Sequence, residues 1–182
     1  MAFHYIAEEN VAVWVYDADP QTGEARTRLA DVNSDSLVAD AEGVALWPQA
    51  DAAPWLVVSS QGDNAYAVFD TADNSLIGRF EVNGGEIDCT SETDGIDVHA
   101  LPLPGYPEGV FLAQDDAEDT GGQNFKLADL AAVRAALAAA DSNGGGGGAV
   151  MVQRRLQLLR VAVTTRTPVL RRHRPCHRPR MC

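Results

Sequence analysis

Five carboxylates crowd the stretch from Gly84 to Val98, GGEIDCTSETDGIDV: Glu86, Asp88, Glu92, Asp94 and Asp97, with no Lys or Arg among them. Side chains of one sign at that density repel one another unless water solvates them or a cation lies between them. Oxygen-only donors suit a hard cation such as calcium, which takes six to eight of them from carboxylates, carbonyls and water. The spacing is not that of an EF-hand, whose alternating Asp/Asn ligands, central Gly and distant Glu are absent. Acidic surface loops are common and usually only solvated. This one gains weight because part of it recurs elsewhere in the chain.

The recurrence comes in two motifs. Tyr5-Ile-Ala-Glu-Glu-Asn10 is followed by a strand-like run to Asp17, and Val57-Val-Ser-Ser-Gln-Gly62 is followed by another to Asp70. Glu9 and Gln61 are 52 residues apart, and a third copy, Val110-Phe-Leu-Ala-Gln-Asp115, lies 53 residues beyond the second and leads to Asn124-Phe-Lys-Leu-Ala-Asp129. Glu42-Gly-Val-Ala-Leu46 matches Asp94-Gly-Ile-Asp-Val98 at the same interval of 52. Two independent motifs giving one period argue for a structural repeat. A unit of ~50 residues with about four short strands is the size of one propeller blade. Glu9, Gln61 and Gln114/Asp115 then take matching places in successive blades, as do Glu42 and Asp94. Residues scattered in sequence become a ring of oxygen donors.

The elements that must position this ring are short. Strands are predicted at His4–Ala7, Val11–Tyr16, Val44–Trp47, Trp55–Val58, Ala65–Phe69, Ser75–Val82, Ile96–Leu101 and Gly109–Ala113, broken by Gly, Asp, Asn and Pro. Asp17–Gly23, with Pro20, reads as a turn. Leu127, Leu130, Val133, Ala136 and Leu137 predict a helix over 126–140. Trp14, Trp47 and Trp55 stand in or beside strands and read as core. His4 and His99 are isolated and read as ordinary strand or loop residues, not ligands. The fold class is all-β, about three blades, with a short C-terminal helix.

Charge divides the chain. All 26 acidic residues lie at or before Asp141, against five basic ones there (Arg26, Arg28, Arg79, Lys126 and Arg134), a balance of −21 that nine arginines in the last 32 residues bring to −12. An acidic body attracts cations and disfavours nucleic acid and anionic membrane. No apolar run approaches membrane-spanning length, and Met1 to Ile6 carries neither the basic nor the apolar region of a signal peptide. Cys89, Cys176 and Cys182 are too few and too scattered for a disulfide framework.

Six ordered motifs resemble the β-propeller phytases: Tyr5-Ile-Ala-Glu-Glu9, Ala39-Asp-Ala-Glu-Gly43, Ser59-Ser-Gln-Gly62, Thr90-Ser-Glu-Thr-Asp-Gly-Ile-Asp97, Val110-Phe-Leu-Ala-Gln-Asp115 and Gln123-Asn-Phe-Lys126. They span nearly all of residues 4–130 and correspond to the later half of that family's six-bladed propeller. The resemblance implies calcium-dependent removal of phosphate from phytate (myo-inositol hexakisphosphate), with several calcium ions at one mouth of the channel. It implies that Glu9, Glu42 and Asp88 hold catalytic calcium ions and that Gln61, Asp94 and Asp115 serve as further metal ligands. It also implies export to an extracellular or periplasmic space. Cys89 stands where the family has Gly, and Asp116-Ala-Glu-Asp119 replaces a Gly-containing loop. The earlier blades, which supply phosphate-gripping basic residues in that family, have no counterpart here. The competing reading is an inactive, truncated calcium-binding module whose open edges favour self-association.

Domain boundaries follow from composition. Residues 1–143 form the partial propeller, 144–150 a Gly-rich linker, and 151–182 a basic tail expected to be disordered. The tail begins abruptly where the repeat grammar stops, which motivates the hypothesis that it arises from a shifted reading frame. Mass spectrometry of native material is expected to yield no peptide from 151–182. Recovery of one would contradict the hypothesis.

Overall fold

Short runs containing β-branched and aromatic residues, broken by turns with Gly, Asn or Asp, favour antiparallel hairpins over helices. The computed structural model describes residues 2–82, 89–116, 122–142 and 150–152, and it builds these runs into three successive sheets. Strands β1 (Phe3–Glu8), β2 (Ala12–Asp17) and β3 (Arg26–Asp31) form the first meander. The second contains β4 (Ala41–Trp47), β5 (Trp55–Ser60), β6 (Ala65–Asp70) and β7 (Leu76–Val82). The third is made by β8 (Ile96–His99), β9 (Val110–Asp115) and β10 (Asn124–Asp129), and α1 (Leu130–Ser142) follows it. Val150–Val152, at the junction of the expected linker and tail, form β11, which pairs parallel to β7. The all-β, partial-propeller expectation is met. The 52-residue period places β1, β5 and β9 at equivalent positions, with β4 and β8 equivalent as the edge strands that lead into β5 and β9.

Two apolar clusters lie on opposite faces of the middle sheet. Val13, Val32, Leu37, Leu56, Val58, Ala67 and Phe69 join the first sheet to the second. Trp47, Val57, Tyr66, Phe80 and Phe111 join the second to the third, and Leu130, Val133 and Leu137 of α1 close over them. The alternation along β5 and β6 sends successive side chains to opposite faces, so one pair of strands feeds both clusters. Tyr66, Phe80 and Phe111 meet with ring centroids 4.7–5.2 Å apart, within the range of favourable aromatic packing. The tight turn after β5 needs Gly62: a Cβ there would lie 2.0 Å from the Ala39 carbonyl oxygen.

Two sequence expectations change. The helix begins at Leu130, and Lys126–Asp129 complete β10. Lys126 and Ala128 are buried while Phe125 is exposed and Leu127 half-buried, the two-residue alternation of a strand, and pairing with β9 enforces it. Strand β3 was not expected, because its sequence, Arg26-Thr-Arg-Leu-Ala-Asp31, lacks an apolar run. Its arginines lie over the Trp14 ring, with the Arg26 and Arg28 guanidinium carbons 3.7 and 4.8 Å from the centroid, so a cation–π contact substitutes for the missing apolar face. Trp14 and Trp47 are buried as expected. Among the described residues no helix is long and apolar enough to cross a membrane.

Lys126 is only 2% exposed and Asp115 fully buried, with Lys126 Nζ 3.0 Å from Asp115 Oδ2. Breaking a buried pair strands one charge. Lys126→Met is therefore expected to lose about 3–5 kcal/mol, read by urea denaturation, in chelator as well as in calcium. Wild-type stability in the variant would contradict this account of the pair.

Candidate metal centre

Equivalent positions at the ends of β1, β5 and β9 each carry one oxygen-bearing side chain. Glu9 lies in the turn after β1, Gln61 in the turn after β5, and Gln114 near the end of β9. Glu42 stands on β4, and Asp94 just before β8, at the equivalent place. The junctions between sheets then set these two groups against each other. At the first junction the Ala41 amide donates to the Glu9 carbonyl oxygen at 2.9 Å, which holds Glu9 beside Glu42. At the second, Gln61 Nε2 donates to Asp94 Oδ1 at 2.8 Å, and the Asp94 amide donates to Gln114 Oε1 at 2.9 Å.

Glu42 is where the charges converge. Burial, followed by the charges of Glu9, Asp94 and Asp40, raises its pKa above the ordinary 4.5, and none of the groups shifting it is a cation. Repulsion from three neighbouring carboxylates is the electrostatic signature of a site that gains from a bound cation. The donor set fits a hard cation, since all of it is oxygen. The carboxylates do not form a closed cage: among the described residues, no three His, Cys, Asp or Glu side chains are close enough to hold a metal ion.

The expected site residues therefore divide. Glu9, Glu42, Gln61 and Asp94 come together across two neighbouring junctions. Asp88, with Glu86, lies outside the described residues. Asp115 sits apart, buried, ion-paired with Lys126, and accepting from the Ser91 amide at 2.8 Å and the Ser91 hydroxyl at 3.0 Å. Three contributors went unassigned in the sequence. Asp40 is visible in the motif Ala39-Asp-Ala-Glu-Gly43 but was given no role. Asn64 Oδ1 accepts from the Glu92 amide at 3.0 Å. Tyr66 reaches Thr90 and Thr93 with its hydroxyl, and burial pushes its pKa up to about 12, so it stays protonated. No spacing rule marks a core tyrosine as a loop anchor.

The chain is an all-β repeat of antiparallel sheets with carboxylates gathered at one end of adjacent sheets. The family is narrower. The chain belongs to the phytase family, whose model matches residues 2–143. It is 41% identical over 130 residues to the 3-phytase of Bacillus subtilis (strain 168), an alignment covering 68% of this chain and 34% of that protein. The chain thus spans about a third of the length of the curated relative it matches.

The raised pKa of Glu42 makes a prediction with a definite sign. A carboxyl whose folded pKa exceeds its unfolded value costs stability when it ionises. The cost is absent below the unfolded value of 4.5 and appears as pH rises through the raised folded value. In chelator, Glu42→Gln is therefore expected to be more stable than wild type at pH 7, with the difference vanishing below 4.5. Urea denaturation of both proteins across this range checks it. A difference independent of pH would contradict it.

Proposed function

We propose that the chain is the calcium-binding portion of a hydrolase of phosphate monoesters, acting on phytate. The observation that carries this is the convergence of Glu9, Asp94 and Asp40 on Glu42 in a member of the phytase family. In this reading Glu9, Glu42 and Asp88 hold the catalytic ions, and Gln61 and Asp94 hold a neighbouring one. Asp115 is assigned as a further ligand only if an ion displaces Lys126 from it. Its burial and its bonds to Ser91 favour an anchoring role. Bound calcium would offset phosphate charge and supply an activated water. The carboxylates themselves orient that charge and keep the mouth anionic until it is filled. The proposal includes an extracellular or periplasmic location, as for the resemblance.

A second reading has its own observation. Each basic residue of the body already faces a carboxylate: Arg26 with Glu8, Arg28 with Asp31, Arg79 with Asp63, Lys126 with Asp115 and Arg134 with Glu108. Gripping several substrate phosphates would require cations from elsewhere, such as a second copy joined through the open sheet edges. Without them the chain is a calcium-binding module without turnover.

Phosphate release from calcium phytate by the 182-residue chain separates the two. Catalysis predicts release that stops in chelator and falls at least ~100-fold in Glu42→Gln, on the scale of losing a metal-bound nucleophile's support. A folded, calcium-stabilised chain that releases no phosphate would establish the binding module instead.

A further inference from the structure

The register that aligns the three sheets also shows where the middle one departs from the others. Ala7 faces Val13 in the first sheet, Leu112 faces Leu127 in the third, and Ser59 faces Tyr66 in the second. These are the same cross-strand pair in three copies. Two copies are wholly apolar, whereas the middle one buries two hydroxyls, with Ser59 1% and Tyr66 0% exposed. A hydroxyl buried without a partner is costly, so the departure calls for specific partners. Both hydroxyls find them on one loop. Ser59 Oγ donates to the Thr93 carbonyl oxygen at 2.8 Å, and Tyr66 Oη lies 2.9 Å from both Thr93 Oγ1 and Thr90 Oγ1. Thr93 is itself buried, and the next residue is Asp94.

The loop needs such anchors because its strand starts late. At the first junction β4 already includes Ala41, which pairs with Ser60, so the backbone ladder fixes the residue before Glu42. The position equivalent to Ala41 is Thr93, and β8 begins only at Ile96. Residues 93–95 therefore stand ahead of the strand. There a single backbone bond, from the Gln114 amide to the Gly95 carbonyl oxygen at 2.9 Å, is joined by the side-chain hydroxyls that hold Thr93.

We propose that Ser59 and Tyr66 are positioning residues for the cation site, acting through Thr93 to fix Asp94 against Gln61 and Glu42. The inference rests on the reading of Glu42 and Asp94 as calcium ligands. It assigns the middle sheet a role the outer two lack: its core face is built to aim a ligand.

The test is calcium titration calorimetry on the 182-residue chain, with thermal unfolding in chelator alongside. The Ser59→Ala/Tyr66→Phe double variant is expected to fold, since apolar pairs occupy the equivalent positions in the other sheets. Its calcium affinity is expected to fall roughly tenfold or more, the range typical of residues that orient metal ligands. Leu37→Ala, which weakens the other apolar cluster, is expected to lower thermal stability and leave affinity unchanged. Should the double variant not fold, Tyr66→Phe alone carries the same comparison. Unchanged affinity in these variants, with calcium binding intact in the unaltered chain, overturns the positioning role and leaves the site reading standing. Absence of calcium binding by the unaltered chain overturns both.

Discussion

Repulsion between carboxylates is the constraint on which the rest of the structure depends. Glu42 sits among Glu9, Asp94 and Asp40, and among the described residues no cation is one of the groups that shift it. A fold gains nothing from that arrangement by itself, and the pKa of Glu42, raised first by burial and then by these charges, records the cost. Elsewhere five of the acids are paired with the five basic residues of the body. Asp63 lies 2.6 Å from Arg79, and Asp115 pairs with Lys126 in the interior. Around Glu42 the neighbouring charges are all acidic, and the proposed calcium ion would offset them.

Packing supplies the rigidity that holds like charges together. The middle sheet is apolar on both faces, and each face joins it to a neighbour through its own cluster. Tyr66 belongs to both problems at once. Its ring packs against Phe80 and Phe111, and its hydroxyl grips the loop that carries Asp94. The apolar core and the acidic mouth are thus mechanically continuous. A change in the core between the second and third sheets reaches the carboxylates through Thr93.

The repeat was legible because two motifs returned at one interval, and an interval survives any error in strand boundaries. It gave the three sheets and the equivalence of Glu9 with Gln61 and of Glu42 with Asp94. What escaped depends on contacts rather than patterns. Strand β3 is polar by sequence and is held through arginines over Trp14. Lys126 joined an apparent helix because Leu127 and Leu130 fit helical spacing, whereas pairing with β9 decides in favour of a strand. The partnership of Lys126 with Asp115 and that of Tyr66 with Thr93 cross long stretches of sequence, so no local window contains them. Asp88 and most of the basic tail lie outside the described residues: the role of Asp88 rests on the resemblance, and the reading of the tail rests on its composition.

The central claim is that Glu42 and its neighbouring carboxylates share a calcium ion. The most direct measurement is anomalous scattering from crystals of the chain grown with calcium. The account predicts an anomalous peak ligated by Glu42 together with Glu9 or Asp94, lost in crystals of Glu42→Gln. Calcium bound only at other carboxylates, with Glu42 left in water, would contradict it.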